Sequence, residues 1–122
     1  MTKAAALYNF YSSFGLTVYE ENSVPEDASF PYLTYNVSTG SFGEDNAMYI
    51  NLWYRSTSWT GINAKTEEIS AAIGRGGKVI KCDGGAIWLK RGSPFAQSMG
   101  DPEDDLIKRK YINITAEFLT AD

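Results

Sequence analysis

A chain of 122 residues with net charge −4, no histidine and one cysteine suits a single domain, because that length buries about two-thirds of the surface its unfolded form exposes. The acidic balance argues against a dedicated nucleic-acid binder, which needs concentrated Lys and Arg to neutralise phosphate. With Cys82 alone there is no intrachain disulfide and no multi-cysteine metal site, which fits synthesis in a reducing cytoplasm.

From Lys3 to Phe14, the residues Ala4, Leu7, Tyr8, Tyr11 and Phe14 fall at spacings of three and four, with Thr2 as cap and Gly15 as terminator. This predicts a short amphipathic helix with an aromatic face. Thr17-Val18-Tyr19 reads as a short strand, and the acidic segment from Glu20 to Asp27, running on to Pro31, reads as a surface excursion. No apolar run approaches the ~20 residues that span a bilayer, so no membrane segment is expected.

Two runs follow, Tyr32 to Ser38 and Ala47 to Arg55, separated by Gly40, Gly43, Asp45 and Asn46. They predict an antiparallel hairpin with a long tip. Its second strand alternates Met48, Ile50, Leu52 and Tyr54 with Tyr49, Asn51, Trp53 and Arg55, so one face goes to the core and the other keeps aromatics. A cap within Ser56-Thr57-Ser58 or at Thr60, then a stripe of Ile62, Thr66, Ile69 and Ile73 stopped by Gly74, predicts a second amphipathic helix.

Lys78 to Cys82 and Ala86 to Lys90 flank Asp83-Gly84-Gly85, a strong hairpin signal. Gly92 to Asp105 reads as a long loop with an acidic bend, and Ile107 to Leu119 as a closing strand. That strand alternates Ile112, Ile114, Ala116 and Phe118 with Tyr111, Asn113, Thr115 and Glu117. The order predicts an α+β fold: an antiparallel sheet of about four to five strands with two helices packed on one face, one domain over residues 1 to 122.

Catalytic chemistry finds few candidates. The absent histidine removes the commonest general base, triad member and transition-metal ligand. No Ser-x-x-Lys or Gly-x-Ser-x-Gly element occurs. The Asp101, Glu103, Asp104, Asp105 cluster lacks the spacing of a calcium loop and reads as a solvated bend. Gly74-Arg75-Gly76-Gly77 follows a helix where a phosphate cradle would precede one. No catalytic, metal-binding or cofactor-binding residue is assigned, and the chain is expected not to be an enzyme.

What remains is an interaction surface. Eight Tyr, six Phe and three Trp exceed what one small core readily covers, and aromatic and Met side chains are enriched at interface cores. Trp53, Trp59, Trp88, Tyr49, Phe95 and Met99 are the large groups in question, with core and interface both open for Trp88.

The run Gly84-Gly85-Ala86-Ile87-Trp88-Leu89-Lys90-Arg91-Gly92-Ser93-Pro94-Phe95-Ala96-Gln97 and the strand opening Tyr111-Ile112-Asn113-Ile114 resemble the C-terminal half of small tail terminator and tail completion proteins of long-tailed bacteriophages. Val18-Tyr19, Val24-Pro25 and Phe30-Pro31-Tyr32-Leu33 are similar to the N-terminal half of the same group, so the resemblance covers most of the chain. The stretch Gly40 to Asn46 is an insertion relative to the family pattern.

That resemblance implies a structural virion protein of the tail and neck, made in the host cytoplasm. It would form a homo-oligomeric ring, commonly a hexamer, that caps the tail tube, ends its polymerisation and offers a docking surface to the head connector or stopper protein. Trp53, Trp88, Arg91, Phe95, Gln97 and Met99 are the candidate subunit or tube interface. Because double-stranded DNA would pass through the ring, Glu44, Asp45, Asp101, Glu103, Asp104 and Asp105 are candidate lumen-facing carboxylates that repel phosphate, with ordinary solubility as the alternative. A head-completion or head-tail connector protein is the second reading. A metabolic or ligand-binding domain with an aromatic pocket is the third.

Overall fold

Thr2 starts the first helix: its hydroxyl accepts the Ala5 N–H at 3.1 Å, satisfying one of the orphan donors of the first turn. In a computed structural model, which describes residues 1–121, this helix α1 spans Lys3–Ser12. Its buried face is Ala6, Leu7, Phe10 and Tyr11, while Tyr8 lies exposed. The apolar face is therefore rotated from the expected one, and Phe10 rather than Tyr8 meets the buried Phe14 edge-on, with ring centroids 5.3 Å apart.

The remaining elements are β1 (Thr17–Glu20), β2 (Tyr32–Tyr35), β3 (Asp45–Arg55), α2 (Thr60–Ile73), β4 (Lys78–Cys82), β5 (Gly85–Gly100) and β6 (Ile107–Thr120). The class is α+β with two helices, as the element order predicts. The strands form one six-stranded sheet in the order β1-β2-β3-β6-β5-β4.

Two features correct the expectation of four to five antiparallel strands. The sheet is mixed, because β1 runs parallel to β2, from Thr17 opposite Tyr32 to Glu20 opposite Tyr35. The excursion between Glu20 and Tyr32 carries the chain back to the starting end of β1, as a parallel pair requires. The second feature is that most of the expected loop from Gly92 to Asp105 is strand. After a register shift between Arg91 and Ala96, β5 resumes pairing with β6, from Ala96 opposite Ile112 to Gly100 opposite Lys108. The Gly and Pro residues there mark a bulge within a strand, not its end. Only the turn from Asp101 to Leu106 remains outside β5 and β6.

The alternation of β3 and β6 supplies the core. Met48, Ile50 and Leu52 join Ile112, Ile114, Ala116 and Phe118, with Leu33 from β2 and Ile87 and Leu89 from β5, in one cluster. Ile62, Ile69 and Ile73 of α2 and Leu7, Phe10 and Tyr11 of α1 belong to that same cluster, so one face of the sheet meets both helices. The stripe expected on α2 is buried throughout, including Thr66, whose hydroxyl donates to the Ile62 carbonyl at 2.8 Å. Gly74 ends α2 with a φ of 75°, a conformation open to glycine. At the other end the N-cap is Trp59, which makes no side-chain cap bond; Ser58 Oγ instead accepts the Thr60 N–H at 3.1 Å. Among the described residues, no helix is long and apolar enough to cross a membrane.

Candidate functional site

The period of two that sends Ile50 and Leu52 to the core sends Tyr49, Asn51 and Trp53 to the opposite, helix-free face. Register then assembles a site from three strands. On β6, Tyr111 lies opposite Asn51 and Arg109 opposite Trp53, and on β2, Thr34 lies opposite Asn51 and Tyr32 opposite Trp53.

Two aromatic stacks result, Tyr32 on Trp53 at 6.1 Å and Tyr49 on Tyr111 at 5.3 Å. The Arg109 guanidinium sits between them, 5.1 Å from the Trp53 centroid and 5.9 Å from that of Tyr111. Cation–π contacts at such distances favour a fixed guanidinium plane. Beneath the rings lies a polar floor. Trp53 Nε1–H donates to the buried Thr34 hydroxyl at 3.0 Å, and Arg109 Nε–H donates to Asn51 Oδ1 at 2.8 Å. Glu21, just beyond β1, accepts a hydrogen bond from the Tyr49 hydroxyl at 2.7 Å, and that bond holds the phenol above its ordinary pKa.

With Val24, these residues line a cleft of about 470 Å³. A smaller hollow of about 150 Å³ adjoins it, sharing Trp53 and Arg109 and reaching Gly100, Asp101 and Pro102. The combined groove offers flat apolar walls and, at its centre, guanidinium Nη groups that have no acidic partner among the described residues. Such a groove can hold an aromatic or extended segment and pair a carboxylate in a bidentate fork.

The structure places four of the six candidate interface residues on this face. Trp53 is in the cleft; Met99 and Gln97 lie opposite Arg109 and Tyr111. Trp88 lies opposite Glu117, half-buried, with its indole N–H donating to the Gly76 carbonyl at 2.9 Å and Lys90 Nζ 4.5 Å from its ring. The other two lie elsewhere: Arg91 turns to the helix side and bonds Ser70 Oγ at 3.0 Å, and Phe95 packs against the core.

The six carboxylates do not form one patch. Glu44 and Asp45 stand at the end of the β3–β6 ladder marked by the Asp45–Glu117 pair, and the Asp101 to Asp105 group stands at the end marked by Arg55 and Ile107. Asp45 is bound by Lys90 at 3.0 Å and Asp104 by Arg55 at 3.5 Å, while Asp101 accepts the backbone N–H groups of Glu103 and Asp104. Glu44, Glu103 and Asp105 are exposed and make no ion pair among the described residues.

Tyr32, Arg109 and Tyr111, with Glu21 and Thr34, are the cleft residues that sequence reasoning missed. Alternation in the last strand already put Tyr111 on the polar face; extending it two residues back finds Arg109. No group of His, Cys, Asp or Glu among the described residues could hold a metal ion. No protein-family model matches the chain, and no curated protein matches it.

Proposed function

We propose that this protein is a non-enzymatic structural component of a long-tailed phage virion, a ring-forming subunit that caps the tail tube and receives the head connector. The observation that carries the reading is the Gly84-to-Gln97 run, whose residues have parts to play in such a subunit. Gly92 lets β5 approach β6 closely, since a Cβ there would lie 2.7 Å from Asn113 Cβ. The strand then lays Gln97 and Met99 beside the aromatic groove on the helix-free face.

A two-layer wedge with helices on one side and an aromatic sheet face on the other suits a ring subunit, which needs two different complementary patches. Its partners are further copies of itself, the tube protein and the connector, with DNA in transit. The Asp101 to Asp105 group at one end of the β3–β6 ladder would then stand beside the DNA path and repel phosphate.

Deleting the gene and imaging the particles tests this. Overlong tails beside unjoined heads are expected. Tails of normal length with leaking heads would replace the terminator reading by the connector reading, and intact infectious particles would refute both.

A further inference from the structure

The turn Ser41-Phe42-Gly43-Glu44 between β2 and β3 is built to display its aromatic ring. Glu44 N–H closes it onto the Ser41 carbonyl at 3.2 Å, and Gly43 takes the positive φ of 74° that the third position of a type II turn requires. Gly43 N–H also donates to the Phe118 carbonyl at 3.0 Å, and Asn46 Nδ2 donates to the Glu44 carbonyl at 3.1 Å, so the tip is tied to the end of β6. Yet Phe42 is 71% exposed, more than any other large apolar residue described. Two positions on, Glu44 carries a carboxylate with no ion pair among the described residues, although its neighbour Asp45 is held by Lys90. A pinned, exposed aromatic ring beside an unpaired acid is the signature of a contact residue.

The complement of that tip is on the same molecule. The cleft walled by Tyr32, Trp53, Tyr49 and Tyr111 has room for a ring, and Arg109 offers free Nη groups to a carboxylate. The tip cannot bring Glu44 to Arg109 of its own chain. The turn lies at the Asp45 end of β3 and Arg109 pairs with Trp53, eight residues further along, which at about 3.3 Å per residue is roughly 26 Å away.

We propose that the Phe42 turn of one copy docks in the Arg109 cleft of the next copy, with Glu44 paired to Arg109. The two patches differ, so the contact is head-to-tail and generates a ring or, if it does not close, a filament. This inference rests on the self-assembly part of the proposed function and supplies its contact.

Sedimentation velocity of the full-length protein, alone and bound to tail-tube tips, is the test. Wild type is expected to assemble, and F42A, E44R and R109E are each expected to weaken assembly by about tenfold or more. The double variant E44R/R109E is expected to recover it. Mixing F42A, which keeps a sound cleft, with R109E, which keeps a sound tip, is expected to stop at a one-to-one pair. Phe42 and Glu44 are exposed, so F42A and E44R test the contact even if R109E folds poorly. Wild-type assembly by F42A and E44R would overturn the contact and leave the ring standing, as would F42A rings that no longer hold the tube, since the tip would then serve the tube. A wild-type chain that stays monomeric alone and on tube tips would overturn both.

Discussion

Trp53 and Arg109 face each other across the β3–β6 ladder, the guanidinium 5.1 Å from the ring centroid, and each also reaches down to a buried polar group, Thr34 or Asn51. The cleft is thus anchored twice to its floor. Trp53→Phe keeps a ring but removes the indole N–H, leaving the hydroxyl of the buried Thr34 without its donor. The expected loss is about 1–2 kcal/mol in urea unfolding, and adding Thr34→Val is expected to recover most of it, because the orphaned group is then gone. A double variant no more stable than W53F would show that the hydrogen bond is not what matters.

Tyr11 presents the opposite situation. Its side chain is wholly buried under α1 against Tyr35, burial holds its phenol well above the ordinary range, and its hydroxyl has no hydrogen-bond partner among the described residues. Tyr11→Phe removes a desolvated polar atom and keeps the ring, so a stabilisation of about 0.5–1.5 kcal/mol is expected. A destabilised variant in thermal or chemical unfolding would contradict this.

Lys110 lies on the core side of β6, where its ammonium meets Asn63 Oδ1 at 2.7 Å, Ser98 Oγ at 2.6 Å and the Trp59 ring at 5.5 Å, with no carboxylate in ion-pair range among the described residues. Burial lowers its pKa, and the charge of Glu67 opposes that shift. The unfolded chain therefore holds this proton more tightly than the folded one. Stability is penalised below the folded pKa and regained as pH climbs toward the unfolded value of about 10.4. Lys110→Met is expected to be more stable than wild type at pH 7, with the gap narrowing as pH climbs toward the unfolded lysine value. A gap that is constant from pH 7 to 10.5 would rule out the buried charge as its cause.

Gly92 tests the strand bulge. The added methyl of Gly92→Ala would meet Asn113 Cβ at 2.7 Å and the Asn113 carbonyl at 2.9 Å, pressing β5 away from β6. A loss of about 1–3 kcal/mol is expected, with amide exchange accelerated from Ala96 to Gly100. Unchanged exchange there would mean that the bulge tolerates the methyl.

The layers of the fold were legible because they follow from side-chain period: Ile62, Thr66, Ile69 and Ile73 announce the buried face of α2, and Ile112 to Phe118 that of β6. The parallel β1–β2 pair was not, since Thr17 to Tyr19 carries no mark of the direction in which it will pair. Strand in place of loop from Gly92 onward was obscured by Gly92 and Pro94, which look like a strand's end and act as a bulge. Half of the site was visible as the polar alternation Tyr49, Asn51, Trp53. The other half depended on register, which brings Arg109 across from Trp53 and Tyr111 across from Asn51, residues far earlier in the chain, a relationship that local pattern does not encode.

The most direct measurement is of tube length. Purified tail-tube protein is polymerised with and without this protein at substoichiometric ratio, and the products are imaged by electron microscopy. Shorter tubes carrying a ring at one end are expected. Tubes of unchanged length with bare tips would contradict the proposed role.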